Sequence, residues 1–514
     1  MLQRSVRRRK LCVKQQVRVS HVSQASLEKL TGLTLDRSNF TNILRRLAEK
    51  WPELILDAFE TVSIANKGSF QLREGDFTTG ISHCGRSKLW QHACGLLDIM
   101  PRVHLRPSVI PFSATISACE KGGQWQQALG LFEAMQISRV HPDTISYNAS
   151  ISACEKAGEW QKALKLFVKM QEEGVSRDVY SFSATVSACE KGGQWQQALS
   201  LFEAMFVGKV CPNVVSYSAA ISACEKSGRW QEALDLFERM PCANISPNVV
   251  SHSAVIGACE KGGQWQQALR LFEAMPRAKV SPNAISYSAA ICACRQGSQW
   301  QQALNLFVAM PSARLSPNII SYNAAISACE KGGRWQQALN LFESMPLAQI
   351  EPDSATYNEI LDCTHIHAEQ LAAQIFQQGL PSLLGRAPSV SAQHIDLHGL
   401  SEGAARLMLR WWLSILVARL THGTSGTRCI VITGYGKSRQ SWRQSDLRGA
   451  ALELLQSLKL RAEVLPNQGR IGLVLEKEDL PQLQNAGKLF DPTKYTKELL
   501  KPFLLNMDRT SRKR

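Results

Sequence analysis

Along most of the chain, apolar residues form two alternating stripes that return with a fixed period. In the stretch from Thr144, the residues Tyr147, Ile151 and Cys154 stand at i, i+4 and i+7, one face of a helix. Lys156-Ala157-Gly158 interrupts that stripe, with Gly158 the expected left-handed residue at a helix C-terminus. Trp160, Ala163, Leu164, Phe167 and Met170 then mark the face of a second helix. In other copies Pro241, Pro276, Pro311 and Pro346 follow the corresponding Met and are expected to end that second helix. One hairpin of this size cannot bury both stripes, whereas stacked copies can.

The period is 35 residues. It carries Trp90, Trp125, Trp160, Trp195, Trp230, Trp265, Trp300 and Trp335, and likewise Cys84, Cys119, Cys154, Cys189, Cys224, Cys259, Cys294 and Cys329. A cysteine returning once per helix at one position reads as a small buried hydrophobe, and no CxxC pair is present, so a reducing compartment is expected. The Trp/Phe/Leu stripe reads as core rather than as a cofactor box. The predicted fold is mainly α: an α-solenoid of 35-residue helical hairpins with a long concave face, followed by a small α/β sandwich.

Composition adds less than its distribution. The net charge is +16. The first 27 residues hold seven Lys/Arg and no acid, and residues 386–514 hold 21 Lys/Arg against 11 Asp/Glu. The two ends thus account for the whole excess, and the repeats are close to neutral. Bulk charge alone will not hold a polyanion there. The acid-free N-terminus fits an organelle-import presequence for a mitochondrion or plastid, with a basic tail that touches RNA as the alternative. No apolar run is long enough to span a membrane. The expected divisions are a presequence or disordered stretch over 1–38, a degenerate repeat over 39–73 and the array over 74–363. A degenerate repeat and linker over 364–392, the α/β domain over 393–480 and a basic tail over 481–514 complete the chain.

With "SYN" opening the first helix, "ALxLFExM" in the second and "xPN" or "xPD" closing each unit, the array resembles the pentatricopeptide repeat family. That resemblance implies a superhelix that binds single-stranded RNA one base per repeat. It further implies that the fifth residue of each first helix and the last residue of the repeat read the base together. Here the pairs are Ser113 with Asp143 for G, Asn148 with Asp178 for U, and Ser183 with Asn213 for A. Ser218 with Asn248, Ser253 with Asn283 and Ser288 with Asn318 follow, each for A, and Asn323 with Asp353 for U. The implied core is 5′-GUAAAAU-3′. Ile110, Ile145, Tyr180, Val215, Val250, Ile285 and Ile320 are the implied wedges between bases. Read without the family, the same Ser, Asn and Asp residues are ordinary helix-start chemistry.

Past the array, "HIDLHG" runs into a helix, and "RCIVITGYGKSRQSW" reads as a buried strand ending in a glycine-rich loop. The turns Asp396-Leu397-His398-Gly399 and Thr433-Gly434-Tyr435-Gly436, the latter followed by Lys437, resemble the two signatures of the small MutS-related (Smr) domain. The resemblance implies a nucleic-acid domain that in some members cuts. Asp396 and His398 alternate along an extended segment and so project to one side, as base or metal ligand. Thr433, Gly434, Gly436 and Lys437 would hold a phosphate. Mg²⁺ or Mn²⁺ is implied only if the domain cleaves; RNA binding needs no cofactor, and no small-molecule substrate is expected. The readings left open are a monomeric site-specific endoribonuclease, a non-catalytic RNA-binding factor, and a protein-binding helical scaffold.

Overall fold

The computed structural model describes residues 39–65, 72–384, 393–422, 427–433, 447–465, 469–487 and 489–490. The expected presequence, most of the C-terminal tail, and Gly434, Gly436 and Lys437 lie outside the described residues. The chain divides into two compact units between Ala258 and Cys259.

In the first unit a hairpin of Phe40–Lys50 and Ile55–Ala65 precedes the regular array. First helices follow at Glu74–Arg86, Val109–Lys121, Thr144–Lys156, Val179–Lys191, Val214–Lys226 and Val249–Lys261. The last of these spans the division. Second helices stand at Trp90–Ile99, Trp125–Ile137, Trp160–Glu172, Trp195–Val207 and Trp230–Cys242. In the second unit the pairs continue as Trp265–Arg277, Ala284–Gln296, Trp300–Ser312, Ile319–Lys331, Trp335–Leu347, Ser354–Thr364 and Glu369–Leu384. The ninth hairpin is therefore complete, although its sequence pattern fades after Cys363, and its second helix runs through Pro381.

Repeats hold one another by rings. The second-helix Phe of one repeat meets the first-helix aromatic of the next edge-on, as in Phe132–Tyr147 at 4.8 Å, Phe202–Tyr217 at 4.7 Å and Phe307–Tyr322 at 4.7 Å. Such pairs add about 0.5–1.5 kcal/mol beyond their buried area. The periodic cysteines are fully buried, and burial pushes the Cys84 thiol up to about 12 and the Cys154 thiol up to about 11, while the contact with Cys94 holds Cys119 down. The periodic tryptophans are only half-buried. Each ring of Trp90, Trp160, Trp265 and Trp300 lies on a glycine of the next repeat, and a Cβ on Gly192 would meet the Trp160 ring at 2.3 Å. Ala157 occupies that place opposite Trp125, whose free face takes the Lys162 ammonium at 3.8 Å.

Both helices of a hairpin end in Schellman motifs. After Val109–Lys121 the Gln124 N–H donates to the Cys119 carbonyl and the left-handed Gly123 to the Glu120 carbonyl. Gly158 has φ +74°, as its sequence position predicts. Ser298 is forced into the same conformation at φ 55°. Ser298→Gly is therefore expected to raise stability by about 1 kcal/mol, read as a higher urea midpoint at unchanged slope.

The prolines do not end the second helices. Pro241, Pro276, Pro311 and Pro346 all sit inside the last turn. The stop comes later, at left-handed Asn244, Lys279, Arg314 and Gln349, where for example the Ile245 N–H donates to the Met240 carbonyl. A proline next to the C-terminus forfeits a single backbone bond, and the Schellman closure sets the boundary instead. Trp125–Ile137, with Gln136 in the proline's place, ends at the equivalent residue.

A charge ladder links the ends of successive first helices. Lys156 pairs with Glu120 at 2.7 Å and Lys191 with Glu155 at 2.9 Å, each lysine 36 residues beyond its partner. For Glu330 that lysine is replaced by exposed Ile366. Burial, and then the carboxylate of Asp362, push the Glu330 carboxyl up to about 7, against the smaller opposing pull of Lys331 and Arg295. The folded value lies above the unfolded one, so nothing is lost below pH 4.5 and the cost grows as pH rises toward 7. Glu330→Gln is expected to gain roughly 1–2 kcal/mol at pH 7.5 and nothing at pH 4.5, read as a thermal midpoint against pH.

The second unit ends in a four-stranded sheet of order β1-β2-β4-β3, with β1 His394–Asp396, β2 Thr427–Ile432, β3 Ala462–Val464 and β4 Arg470–Leu475. β1 and β2 are parallel, joined by the helix Glu402–His422; the other pairs are antiparallel. The helix Leu447–Ser457 links β2 to β3. The boundary expected at 480 falls at the start of a helix, Leu480–Gly487, with Leu483, Ala486 and Phe490 buried. The compact part thus reaches at least Phe490, because that segment covers the helix Glu402–His422 and the Phe376 ring.

Candidate functional site

From Thr144–Lys156 onward the first helices start alike, whereas Val109–Lys121 is capped by Ser108 without the reciprocal box. Asn213 is the N-cap of Val214–Lys226: its Oδ1 accepts from the Val215 N–H at 3.0 Å and the Ser216 N–H at 2.9 Å, while the Ser216 hydroxyl accepts from the Asn213 N–H at 2.9 Å. Asp143, Asp178, Asn283, Asn318 and Asp353 cap their helices in the same reciprocal box with Ser146, Ser181, Ser286, Ser321 and Thr356. Asn248 accepts likewise from Val250 and Ser251. The last residue of each repeat therefore has a structural duty that Asn and Asp perform equally well. The box serines were not singled out by their sequence, although Asn/Asp-x-x-Ser recurring every 35 residues is the signal.

With Oδ1 committed to the cap, the other side-chain atom carries the difference: a donor Nδ2 in Asn, an acceptor Oδ2 in Asp. Where an aspartate is the last residue, it touches the fifth residue of the preceding repeat, mainly through Oδ1. Asn148 Nδ2 donates to Asp178 Oδ1 at 3.0 Å and to Oδ2 at 3.2 Å; Asn323 Nδ2 reaches Asp353 Oδ1 at 3.3 Å; Ser113 Oγ reaches Asp143 Oδ1 at 3.3 Å. At Asp353 burial opposes ionisation, yet bonds from Thr356, Asn323 and Ala355 outweigh it and hold the carboxyl below its usual range. Ser183, Ser218, Ser253 and Ser288 each donate to the carbonyl four residues back, at 2.6–2.8 Å. Their hydroxyl proton is thereby used, and the oxygen is left as an acceptor. The fifth and last residues predicted as pairs are thus adjacent wherever such a contact forms.

Two positions after each cap stands an apolar residue that the fold does not bury. Ile110, Ile145, Tyr180, Val215, Val250, Ile285 and Ile320 are 52–69% exposed. The cap holds the backbone of several of them, as with the Tyr180 N–H on Asp178 Oδ1 at 3.1 Å, and the side chains face solvent. The row has ends: Gly75 and Ala355 hold the same place in the flanking repeats.

These repeats match known ones. Residues 142–191, 212–261 and 317–364 match the PPR repeat family, 95–157 and 270–334 the pentatricopeptide repeat domain, and 180–207 and 250–280 the PPR repeat. The array belongs to the pentatricopeptide repeat family. Among solved structures the chain is similar to the pentatricopeptide repeat protein PPR10 from maize, at 18% identity over 85% of this chain and 66% of that one, TM-score 0.43. It is also similar to PPR10 in complex with an 18-nt psaJ RNA element, at 15% identity over 88% and 71%, TM-score 0.46. Yeast Rmd9p in complex with a 16-nt target RNA follows, at 10% identity over 77% and 88%, TM-score 0.33. No curated protein matches the chain.

Beyond the pentatricopeptide array, the C-terminal sheet brings the Asp396–Gly399 turn and Thr433 to one end. Asp396 pairs with Ile432 across parallel strands, and the Leu397 N–H donates to the Ile432 carbonyl at 2.8 Å, which sets Thr433 beside the Asp396–His398 turn. Asp396 Oδ1 accepts from the His398 N–H at 2.9 Å and lies 3.4 Å from His398 Nδ1. Asp396 is buried, and the His398 side chain is 52% exposed. Thr433 is buried, with its N–H on the Gly469 carbonyl at 2.9 Å. Among the described residues no group of three or more His, Cys, Asp or Glu is placed to hold a metal ion. Asp396 and His398 alone fall short of a metal's usual protein ligand set.

Proposed function

We propose that the pentatricopeptide array binds single-stranded RNA base by base, with 5′-GUAAAAU-3′ as its core. The observation that carries this reading is the row of seven exposed apolar residues, each two positions beyond a helix cap. Solvent gives no reason for a bulky apolar side chain at the same place in seven successive repeats. A stack of bases does: each wedge covers a base face, while the polar pair beside it meets the base edge. A Ser/Asn pair offers an acceptor and a donor, and an Asn/Asp pair a donor and an acceptor in reversed order. Near neutrality of the repeats fits binding carried by stacking and base edges, with phosphate attraction concentrated in the basic ends. The direct test is fluorescence anisotropy with labelled GUAAAAU and with a scrambled RNA of equal composition. Equal affinity for both sinks the reading, and binding to neither favours the protein-scaffold alternative.

The C-terminal domain is proposed to be Smr-like and to act on the RNA 3′ of the core, since the resemblance to the repeat family implies RNA running parallel to the chain. Contact of His398 with a buried carboxylate supports a role in proton transfer to or from a phosphodiester. Incubating core RNA that carries 3′ flanks with Mg²⁺ tests cleavage. A product that His398→Ala abolishes is expected; no product, or the same product from the variant, leaves a binding-only domain. Action in an organelle, mitochondrion or plastid, is proposed from the basic N-terminus alone.

A further inference from the structure

Resting on that RNA reading, we infer that the ninth repeat does not read a base: its reading residue is the seat of the C-terminal domain, which ends the reading row after seven nucleotides. Asn358 holds in the ninth repeat the place that Asn323 holds in the eighth. It is 1% exposed, against the partly open Asn323. Its Oδ1 accepts the Ser401 N–H at 3.0 Å, and its carbonyl accepts the Ser401 hydroxyl at 3.0 Å. Its Nδ2 is buried without a partner. The pocket a base would enter is filled by the segment that follows the Asp396–Gly399 turn.

The rest of the ninth repeat is altered to the same end. Ala355 replaces the wedge, and Asp362 replaces the serine of Ser327. Asp362 Oδ1 accepts the Gly403 N–H at 2.7 Å, so the array caps the helix Glu402–His422 from outside. Gly403 is required by the approach: a Cβ there would lie 2.7 Å from His365 Nδ1 and from the Leu361 carbonyl. Arg410 pairs with Glu369, and Phe376 packs on Trp411 with centroids 6.4 Å apart. The domain is therefore mounted on the last hairpin through buried polar bonds and rings. The nucleotide after the last read base meets the Leu397–Ser401 turn, with exposed His398 in it, instead of a reading pair. The domain thus acts at a set distance from the core.

Two measurements on the full chain test this. In the first, the base following the terminal U is varied through all four. Less than twofold variation is expected for the wild type and also for Asn358→Ser. A pyrimidine preference at that base that Asn358→Ser turns toward purine overturns the inference. In the second, which needs no RNA, amide exchange is followed at Ser401 and Gly403. At least tenfold faster exchange is expected in Asn358→Ala and in Gly403→Leu, with Asn148→Ala as a variant that leaves these amides unchanged. Protection unchanged in both docking variants overturns the inference. Indifference of binding to every core position would instead overturn the RNA reading, and the exchange result would still decide the docking.

Discussion

Truncating four wedges together, Ile110, Ile145, Val215 and Val250 to Ala, is expected to weaken binding of the core RNA roughly a thousandfold while leaving thermal stability unchanged. All four are more than half exposed in the free protein, so the folded state gives up little packing when they are cut back. Exposed substitutions of this kind change stability by about 0.5 kcal/mol or less. Against a base, each lost set of methyl and methylene groups forfeits about 1 kcal/mol of newly buried apolar contact. Four such losses amount to about 4 kcal/mol, or three powers of ten in Kd. Anisotropy titration reads the first effect and a thermal melt the second. Loss of stability in step with binding would show that the row serves the fold; unchanged affinity would show that no base stack lies on it.

The second large effect is a change of letter. Ser218→Asn with Asn248→Asp is expected to move preference from A to U at the fourth base, by 10- to 100-fold, and at no other. The reasoning rests on the division of labour within the last residue. Oδ1 of Asn248 bonds the backbone at Val250 and Ser251, and an aspartate keeps those bonds. What changes is the outer atom, from donor to acceptor, beside a fifth residue that becomes an amide as in the Asn148–Asp178 pair. A base edge that no longer finds its partners costs about 1–3 kcal/mol. Competition with RNAs carrying A or U at each position reads the outcome. A shift at another position would refute the register, and a uniform loss of affinity would refute the pairwise reading. Asn248→Ala separates the two duties, since it loses the letter and about 1 kcal/mol of helix cap as well.

The two accounts of the Ser, Asn and Asp residues are not rivals in this structure. Helix capping explains why only Asn and Asp stand at the last position of the seven reading repeats. The choice between them leaves the cap intact, which frees that choice to carry information. The cap is legible in a single repeat; that it leaves the second side-chain atom of the Asn or Asp free to differ is seen only from the bonds its Oδ1 makes.

Much of this protein is legible in its sequence because a 35-residue period is a local property repeated. The hairpins, the buried cysteines and the left-handed Gly158 follow from helical spacing within one unit and its neighbour, whereas the fifth and last residues and the wedges are named only by the resemblance to the repeat family. The helix ends after Pro241 and its counterparts were not legible, since proline is compatible with a last turn and the closing bonds involve Asn244 and Ile245, unremarkable letters by themselves. The ninth repeat is the clearest case of what only tertiary structure decides. Its "TYNEILDC" still spells a reading asparagine, and a pattern of spacing has no means of showing that Ser401, 43 residues later, occupies it. Short-range periodicity determines which faces are apolar and which helix starts are capped. Whether an exposed polar pair meets a base or a distant segment of its own chain depends on a contact between segments far apart in sequence, and that is set only when the chain packs.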